Sequence, residues 1–355
     1  MKRLKILVEM KHGLGDCVCM LPALSAIREN YPDAYIALLV NGRANQEIFE
    51  HSHISIDDYF YFSLKNRSIG YTVETLVKLF FKHFDIGVLA TMTPPKKGMG
   101  LFKLLGVKRC FGEQYDGLNF LDLDDSLHFV HRNLNIVSNF CPNLKNQQPL
   151  LYPKTEDGVK FQDLKKSKHI KIAVSIGGAD KNYYKGNYVF TRNWKKEYMH
   201  TLVDLLSRNQ EYDIFLLGGK LEESLIGDYV DLLGRNNIFN FVNQTNIGES
   251  IYLLSLCQLA VGVDTGMQHI ADALEVPTVS IFGPTNPKTH GAFSKKATFV
   301  LCNPKLDCQF CFDHDIYYTC PDRKCLNEIP AQMVYNEILK KLKDGRREKY
   351  DNRTD

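Results

Sequence analysis

Short runs of apolar residues alternate along the chain with longer segments whose apolar residues recur at helical spacing. This alternation is typical of βαβ units, in which each strand of a parallel sheet is followed by a helix that covers the sheet. Parallel strands are buried on both faces, so their sequences are continuous apolar runs such as Tyr35–Val40 and Leu259–Val263. The pattern therefore predicts an α/β protein.

The alternation is interrupted near the middle of the chain. Residues 143–154 are polar, contain proline and show no periodicity, as expected of a linker. A chain of 355 residues also fits two domains of roughly 100–200 residues each. We predict one doubly wound domain over residues 1–150 and a second over 151–330. Residues 331–355 should form a C-terminal helix that packs back on the fold, followed by a charged tail.

Composition argues against several classes of protein. Lys and Arg number 44 against 41 Asp and Glu, and this balance argues against nucleic acid as a partner. No apolar run approaches the roughly 18–20 residues that cross a bilayer, and the run Ile6–Met10 is too short for a signal peptide. We therefore expect a cytoplasmic protein.

The first polar loop follows the predicted strand Leu4–Met10 and reads GLGD. In a doubly wound domain this loop lies at the carboxyl edge of the sheet, where ligands bind. Gly13 and Gly15 allow the backbone to approach a ligand. Asp16 either caps the following helix or presents its carboxylate to the ligand. Val18 replaces the third glycine of the dinucleotide fingerprint, so a dinucleotide oxidoreductase is not expected.

A second polar segment follows the predicted strand Leu259–Val263. Asp264, Thr265 and Gly266 begin a helix there, and His269 lies one turn into it. The free amides and the positive dipole end of a helix N-terminus favour a phosphate group. The alternative is that Asp264 or Thr265 only caps the helix while His269 packs in the core.

The next predicted strand, Thr278–Phe282, ends in another loop at the same edge of the sheet. This loop contains Pro284 and Thr285. Two adjacent loops of this kind predict a pocket for a diphosphate and a sugar.

These motifs resemble glycosyltransferase family 9, the ADP-heptose lipopolysaccharide heptosyltransferases. The resemblance extends over residues 4–290 and is carried by four ordered motifs. They are GLGD leading into MLPAL at 20–24, RNW at 192–194, GG at 218–219, and DTGMQH at 264–269 continuing to FGPT at 282–285. The family's fold is GT-B, two Rossmann-like domains that face each other across a cleft. The resemblance thus implies an acceptor-binding first domain and a second domain that binds a nucleotide sugar.

The resemblance implies an inverting transfer in which an acceptor hydroxyl attacks the anomeric carbon of an ADP-linked heptose. Asp16 is then the general base, and Arg192, Thr265 and Gly266 hold the diphosphate while Asp264 binds the sugar. No catalytic metal or cofactor is implied. The expected acceptor is a lipopolysaccharide core or a related bacterial glycan.

Three further residues are candidate ligands of the substrates. Glu222 follows the Gly218-Gly219 pair, and either binds ribose hydroxyls or lies at a solvated helix start. Lys96 and Lys97 lie in Pro94–Phe111, a segment with several basic and no acidic residues. This composition suits an anionic glycolipid at the inner face of the inner membrane. The alternative is a solvated loop followed by an ordinary amphipathic helix.

Five of the ten cysteines fall within residues 302–325. The spacing of Cys308, Cys311, Cys320 and Cys325 predicts a structural zinc or iron site in a reducing compartment, with His314 able to replace one ligand. Buried reduced thiols and a disulfide are the alternatives to metal.

Three alternatives to the predicted activity stay open. One is a glycosyltransferase that uses another nucleotide sugar. A second is a glycosyltransferase whose acceptor is a protein such as an autotransporter. From another class, a sugar-nucleotide epimerase of the same GT-B fold would share the donor pocket, but it would need no base in the first domain.

Overall fold

Both halves of the chain build a parallel sheet from strands that are buried on both faces. The computed structural model describes residues 3–62, 68–113, 126–178, 181–185, 187–312 and 314–351. The chain divides into two units, Met1–Tyr152 and Pro153–Asp355. The division falls inside the polar, proline-bearing segment of the sequence.

The first unit is a five-stranded sheet with helices between its strands. Its elements are β1 (Lys5–Met10), α1 (Leu14–Asn30), β2 (Tyr35–Val40), α2 (Arg43–Glu50), β3 (Asp58–Tyr61), α3 (Ile69–Lys82), β4 (Ile86–Leu89), α4 (Pro95–Leu104), β5 (Arg109–Phe111) and α5 (Phe129–Ser138). The strand order is β3-β2-β1-β4-β5, and all the pairings are parallel. Strand β1 is central, and Ile6, Leu7 and Val8 have no exposed surface.

The second unit contains a six-stranded parallel sheet. Its strands and helices are α6 (Gln162–Lys166), β6 (Ile170–Ser175), β7 (Lys181–Tyr184), β8 (Asn187–Phe190), α7 (Lys196–Ser207), β9 (Tyr212–Leu217), β10 (Ile238–Asn240), α8 (Ile247–Ser255), β11 (Leu259–Val263), α9 (Gly266–Ala273), β12 (Thr278–Ile281), α10 (Pro287–His290), β13 (Ala297–Val300), α11 (Asp315–Thr319), α12 (Lys324–Asn327) and α13 (Ala331–Asp351). The strand order is β10-β9-β6-β11-β12-β13. Strands β7 and β8 form a separate antiparallel hairpin.

The C-terminal helix packs on the second unit, as the sequence predicts. Val334 and Ile338 of α13 have no exposed surface and join the core formed by β11, β12 and α7. The helix continues to Asp351, into the segment for which the sequence predicts a charged tail.

Two sequence-based expectations about secondary structure differ from the structure. A helix is predicted over Leu221–Leu233, but only a 3-10 helix, Glu223–Tyr229, forms there. Gly227 lies within it, and glycine weakens an α-helix because its backbone loses more freedom on ordering. The sequence also predicts that the first helix begins at Cys17, but α1 begins at Leu14. Gly15 and Asp16 therefore lie in its first turn instead of in a loop. Within the described ranges, no helix is both long and apolar enough to cross a membrane.

The close approach of β4 to its covering helix generates a stability prediction. A Cβ atom added at Gly87 would lie 2.5 Å from Cε2 of Phe102, a ring that is fully buried. We expect Gly87→Ala to lower the free energy of unfolding by about 1–3 kcal/mol because a packed core cannot accommodate the extra atom. Urea denaturation of the purified chain measures this change.

The matched control is Gly100→Ala in the same domain, where a Cβ meets nothing within 4 Å. Since Gly100 is inside α4, alanine there should leave stability unchanged or raise it by up to about 1 kcal/mol. Equal stability of the two variants would contradict the packing described for Gly87.

Candidate functional site

Each sheet has a point where the chain reverses the order in which it adds strands. In the first sheet this point lies between β1 and β4, and in the second it lies between β6 and β11. Connections that leave such neighbouring strands in opposite directions open a crevice at their carboxyl ends, which is where doubly wound domains bind ligands. The loops after these strands therefore border the expected ligand crevice.

In the first domain Asp16 lies beside the loop that follows β1. Its Oδ2 atom accepts a hydrogen bond from the backbone N–H of Gly13 at 2.9 Å. Its Oδ1 atom accepts none from the part of the chain that the structure describes. A Cβ at position 13 would lie 3.2 Å from Asp16 Oδ2, which accounts for glycine there. Asp16 thus caps α1 with one oxygen and leaves the other available, so the two interpretations of this residue are compatible.

A buried polar network adjoins this loop. The Thr93 hydroxyl, after β4, donates to Glu9 Oε2 at 2.7 Å. It also lies 2.7 Å from His12 Nε2, which is consistent with the ring N–H donating to it. Lys11 Nζ lies 3.5 Å from Glu9 Oε1. Glu9, His12 and Thr93 therefore join the two loops at the reversal point.

This network couples the buried Glu9 carboxylate to the His12 ring. Burial alone would raise the pKa of Glu9, but His12, Lys11 and Thr93 together bring it below its usual value. Burial would likewise lower the pKa of His12, but the carboxylates of Glu9 and Asp16 raise it. The residue types alone do not predict this network. The one signal in the sequence is that Glu9 interrupts the apolar run of a buried strand.

Lys96 and Lys97 lie in the first turn of α4, which follows β4. Both are exposed. Neither forms a hydrogen bond with Asp16 in the described ranges, so their predicted contact with the acceptor stays a prediction.

In the second domain a buried carboxylate joins three loops of the sheet edge. Asp264, immediately after β11, is 4% exposed. Its Oδ2 atom accepts a hydrogen bond from Arg192 Nη1 at 3.0 Å and another from the Thr285 hydroxyl at 2.7 Å. Arg192 follows the β7–β8 hairpin and Thr285 follows β12, so residues distant in sequence meet at one carboxylate.

The same contacts set the charge of Asp264. Burial opposes its ionisation, but the Arg192 guanidinium, the Thr285 hydrogen bond and the nearby His269 ring hold its pKa below the usual range. His269 lies on α9 and is buried. Asp264 is therefore an anion locked to a cation at the end of β11.

The N-terminus of α9 lies directly beside this ion pair. Thr265 is the N-cap residue, but its side chain does not cap the helix. Its Oγ1 atom is buried and has no hydrogen-bond partner in the described part of the chain. Gly266 is the first helical residue and carries no side chain that would cover the terminal amides. A helix end of this kind, with Arg192 nearby, suits an anionic group.

Glu222 lies at the same edge, after β9. The side chain is buried, and its Oε2 atom accepts a hydrogen bond from the backbone N–H of Gly219 at 2.8 Å. A Cβ at Gly177 or at Gly218 would lie 2.7 or 2.8 Å from Glu222 carbon atoms. The alternative of a solvated helix start is therefore wrong, because Glu222 is packed between the loops that follow β6 and β9.

The cysteine-rich loop, residues 302–325, surrounds a cavity of about 340 Å³. Cys308, Cys311, Cys320 and Cys325 all line it. All ten cysteines are free thiols in the structure, so the disulfide alternative is not observed. Burial and neighbouring thiols raise the pKa of Cys311, and they raise that of Cys325 to about 12.

The four thiols share a cavity without forming a compact ligand set. Within the described ranges, no three His, Cys, Asp or Glu side chains are spaced to hold a metal ion. His314 is exposed. The structure thus places the four thiols around one cavity but does not assemble them into the predicted metal site.

The cysteine-rich loop also contacts the residues that precede the ion pair. The backbone N–H groups of Cys311 and Phe312 donate to the Pro284 carbonyl at 3.0 and 3.2 Å. The Thr191 hydroxyl donates to the Tyr317 hydroxyl at 2.6 Å. Pro284 and Thr191 are the chain neighbours of Thr285 and Arg192, so this loop supports both partners of Asp264.

Comparison with known proteins extends these observations. The sequence profile of glycosyltransferase family 9 (heptosyltransferase) matches residues 121–319. Lipooligosaccharide heptosyltransferase 2 of Campylobacter jejuni serotype O:6 (strain 81116) is 25% identical over 350 residues, 95% of this chain and 99% of that protein.

Two solved structures show the same fold. The glycosyltransferase family 9 protein from Veillonella parvula DSM 2008 aligns with a TM-score of 0.80 at 19% identity, over 97% of this chain and 99% of that one. The dodecameric iron-containing heptosyltransferase TibC of enterotoxigenic E. coli, in complex with ADP-D-beta-D-heptose, has a TM-score of 0.57 at 12% identity. That alignment covers 96% of this chain and 76% of TibC. These likenesses confirm the prediction of a GT-B fold.

The ion pair of Asp264 generates a prediction about stability and pH. A carboxyl with a depressed pKa in the folded state stabilises the fold above its unfolded pKa, and this contribution is lost as the pH falls through the folded pKa. We expect Asp264→Asn to lower the free energy of unfolding at neutral pH by about 3 kcal/mol, because Arg192 loses its counter-charge. The deficit should begin to shrink as the pH falls below about 4, where the carboxyl of the unfolded wild type protonates, and should disappear as the pH falls through the lower pKa of the folded state.

Urea denaturation of both proteins at several pH values measures this effect. The control is Asp163→Asn, because Asp163 is 97% exposed in its pair with Lys166 and should contribute little at any pH. A deficit for Asp264→Asn that is independent of pH would show that the charge of Asp264 is not responsible.

Proposed function

Because the chain belongs to glycosyltransferase family 9, and is thus a glycosyltransferase, we propose that it transfers a heptose from ADP-heptose with inversion at the anomeric carbon. The proposed acceptor is a hydroxyl of a lipopolysaccharide core or a related bacterial glycan. The observation that carries this proposal is the uncapped N-terminus of α9 beside the pair of Arg192 and Asp264. This arrangement supplies amides and positive charge where a nucleotide diphosphate would bind.

In the proposed complex the second domain holds the donor. The amides of Thr265 and Gly266 and the guanidinium of Arg192 bind the diphosphate. Asp264 accepts hydrogen bonds from sugar hydroxyls in addition to those from Arg192 and Thr285. Glu222 has a buried carboxylate at the same edge, which suits ribose hydroxyls. His269 and Pro284 complete the pocket.

In the proposed reaction Asp16 of the first domain is the general base. The acceptor hydroxyl transfers its proton to the Asp16 carboxylate as its oxygen forms a bond to the anomeric carbon of the heptose. The bond between that carbon and the ADP oxygen breaks, and its electron pair leaves with ADP. Arg192 and the end of α9 stabilise the charge that develops on the leaving diphosphate. These groups of the chain supply the needed positive charge without a catalytic metal or cofactor.

The acceptor side of the proposal involves two lysines of the first domain. Lys96 and Lys97 are exposed beside the edge that carries Asp16, and we assign them to acidic groups of the acceptor. The reaction would take place in the cytoplasm, at the inner face of the inner membrane. Another nucleotide sugar or a protein acceptor would use the same residues. Membership of a transferase family favours transfer over the epimerase alternative.

For the cysteine-rich loop we keep the proposal of a structural metal. Four thiols around one cavity are suitable ligands for zinc or iron, and the iron content of TibC gives this a precedent in a similar fold. The ion would be held by Cys308, Cys311, Cys320 and Cys325. Its part would be to fix the loop that supports Thr191 and Pro284.

The function is tested with Asp16→Asn and a panel of nucleotides. We expect ADP to bind more tightly than UDP, GDP or CMP, and release of ADP from ADP-heptose to require a lipopolysaccharide-core acceptor. Asp16→Asn retains an oxygen that can accept from Gly13, so the helix cap should remain. Its turnover should fall by roughly 10²–10⁴-fold with donor affinity unchanged, because a base acts in the transition state. Calorimetry for binding and coupled ADP release for turnover are the measurements.

The matched control is Asp33→Asn, an exposed carboxylate of the same domain, which should keep full activity. Preference for UDP would overturn the donor and retain the site. Loss of ADP-heptose binding in Asp16→Asn would contradict the role of Asp16 as base.

The metal proposal is tested by elemental analysis of protein purified without added metal. We expect one zinc or iron per chain, reduced by at least about half in Cys308→Ser/Cys311→Ser because two thiolate ligands are removed. Cys110→Ser, a buried cysteine outside the loop, is the control and should keep its metal. Folded wild-type protein without zinc or iron would refute the proposal.

A further inference from the structure

Helix α3 exposes an apolar face to solvent. Ile69 is 85% exposed, Phe81 68%, Val73 53% and Val77 48%. These positions follow each other at intervals of four along the helix, so their side chains share one face. A helix that serves only its own domain exposes polar residues on its outer face.

The inward face of α3 is the more polar one. Thr72 and Thr75 are buried there together with Leu79. The helix therefore directs two threonines toward the core while valine, isoleucine and phenylalanine point outward. Packing of the domain does not account for this choice, and a contiguous exposed apolar patch indicates an interaction surface.

The patch continues onto the neighbouring helix. Phe80 of α3 is 44% exposed and lies 3.9 Å from the position of a Cβ at Gly106, just after α4. Leu104, near the end of α4, is 61% exposed. We call the exposed residues Ile69, Val73, Val77, Phe80, Phe81 and Leu104 the α3 surface.

The segment of chain that carries this surface is rich in positive charge. Residues 69–111 contain seven Lys and Arg and only two Asp and Glu, although the whole chain carries a net charge of only +3. Both acids are already paired, Glu74 with Lys78 and Asp85 with Lys108, each at 2.6 Å.

The segment contains further basic side chains beyond those paired with Glu74 and Asp85. Lys96, Lys97, Lys103 and Arg109 are exposed. The segment thus carries more positive charge than the chain as a whole, so the remainder of the chain is net negative.

We propose that the α3 surface docks the protein on an anionic lipid bilayer. Ile69, Val73, Val77 and Phe81 enter the boundary between headgroups and acyl chains, as the apolar face of an interfacial helix does. Exposed lysines of the same segment contact lipid phosphates. A second copy of the chain fits less well, because a symmetric interface would bring two segments of like charge together.

This inference deepens the proposed function, since a membrane-bound glycan acceptor would be presented at such a surface. It does not depend on the identity of the sugar or nucleotide. Its test therefore uses vesicles alone and can succeed or fail independently of the transfer assay.

The experiment is co-sedimentation of the full chain with phosphatidylcholine vesicles that contain, or lack, phosphatidylglycerol. We expect binding only to the anionic vesicles, with weakening at high salt because the Coulomb attraction is screened. Val73→Asp/Phe81→Asp should weaken binding by at least about tenfold, since it places two charges on the inserted face. Lys103→Glu should weaken binding less and reduce its salt dependence.

The matched control is Val159→Asp/Val230→Asp in the second domain, where both valines are 69% exposed. It changes the same number of exposed apolar residues to the same acid and should bind as the wild type does. Circular dichroism should be unchanged in all variants, as the substituted side chains lie outside the core. Activity of Val73→Asp/Phe81→Asp toward a soluble acceptor should also be unchanged.

Three results would overturn the proposal. The first is that the wild type does not bind anionic vesicles, and the second is that Val73→Asp/Phe81→Asp binds them as well as the wild type does. The third is that the wild type does not bind vesicles but self-associates with rising concentration, and that Val73→Asp/Phe81→Asp does not self-associate. The last result would assign the α3 surface to a second copy of the chain.

Discussion

A parallel sheet that is covered on both faces leaves one place for chemistry, which is the edge where its strands end. Most residues inside the sheet are committed to packing, as in β1, where Ile6 to Val8 have no exposed surface. Most polar side chains therefore follow the strands, and Glu9, inside β1, is an exception. In both domains the candidate site residues gather at the edge of the sheet where the strands end.

In the second domain the constraint is satisfied by one carboxylate. Asp264 is buried deeply enough that its charge needs a partner, and Arg192 and Thr285 supply it from different loops. The result is a fixed geometry at the start of α9. The first domain uses a looser device. Among the described residues Asp16 accepts one hydrogen bond, from the backbone N–H of Gly13, while Glu9, His12 and Thr93 hold the adjoining loops together. The second domain thus holds its carboxylate in an ion pair, whereas Asp16 of the first domain keeps one carboxylate oxygen without a hydrogen bond in the described ranges.

Much of this could be predicted from the sequence because it follows from local pattern. Strands such as Tyr35–Val40 are continuous apolar runs, and Asp264 follows such a run directly. What could not be predicted depends on contacts between distant segments. Two of these contacts, Arg192 with Asp264 and Glu9 with Thr93, join residues more than forty positions apart in the sequence. A third, the burial of Glu222 between two glycine-bearing loops, depends in part on a loop that is equally distant in the sequence. The outward face of α3 was also beyond sequence reasoning, since periodicity identifies an apolar stripe without saying which stripe faces the core.

The support that the cysteine-rich loop gives to Thr191 and Pro284 has a consequence for how such proteins diverge. The loop contacts the chain neighbours of the residues that hold Asp264. Insertions or replacements within residues 302–325 can therefore alter the position of Arg192 and Thr285 while every residue at the sheet edge stays the same. Evolution could adjust the affinity of this pocket by editing a surface loop, and sequences with identical site motifs need not be functional equivalents.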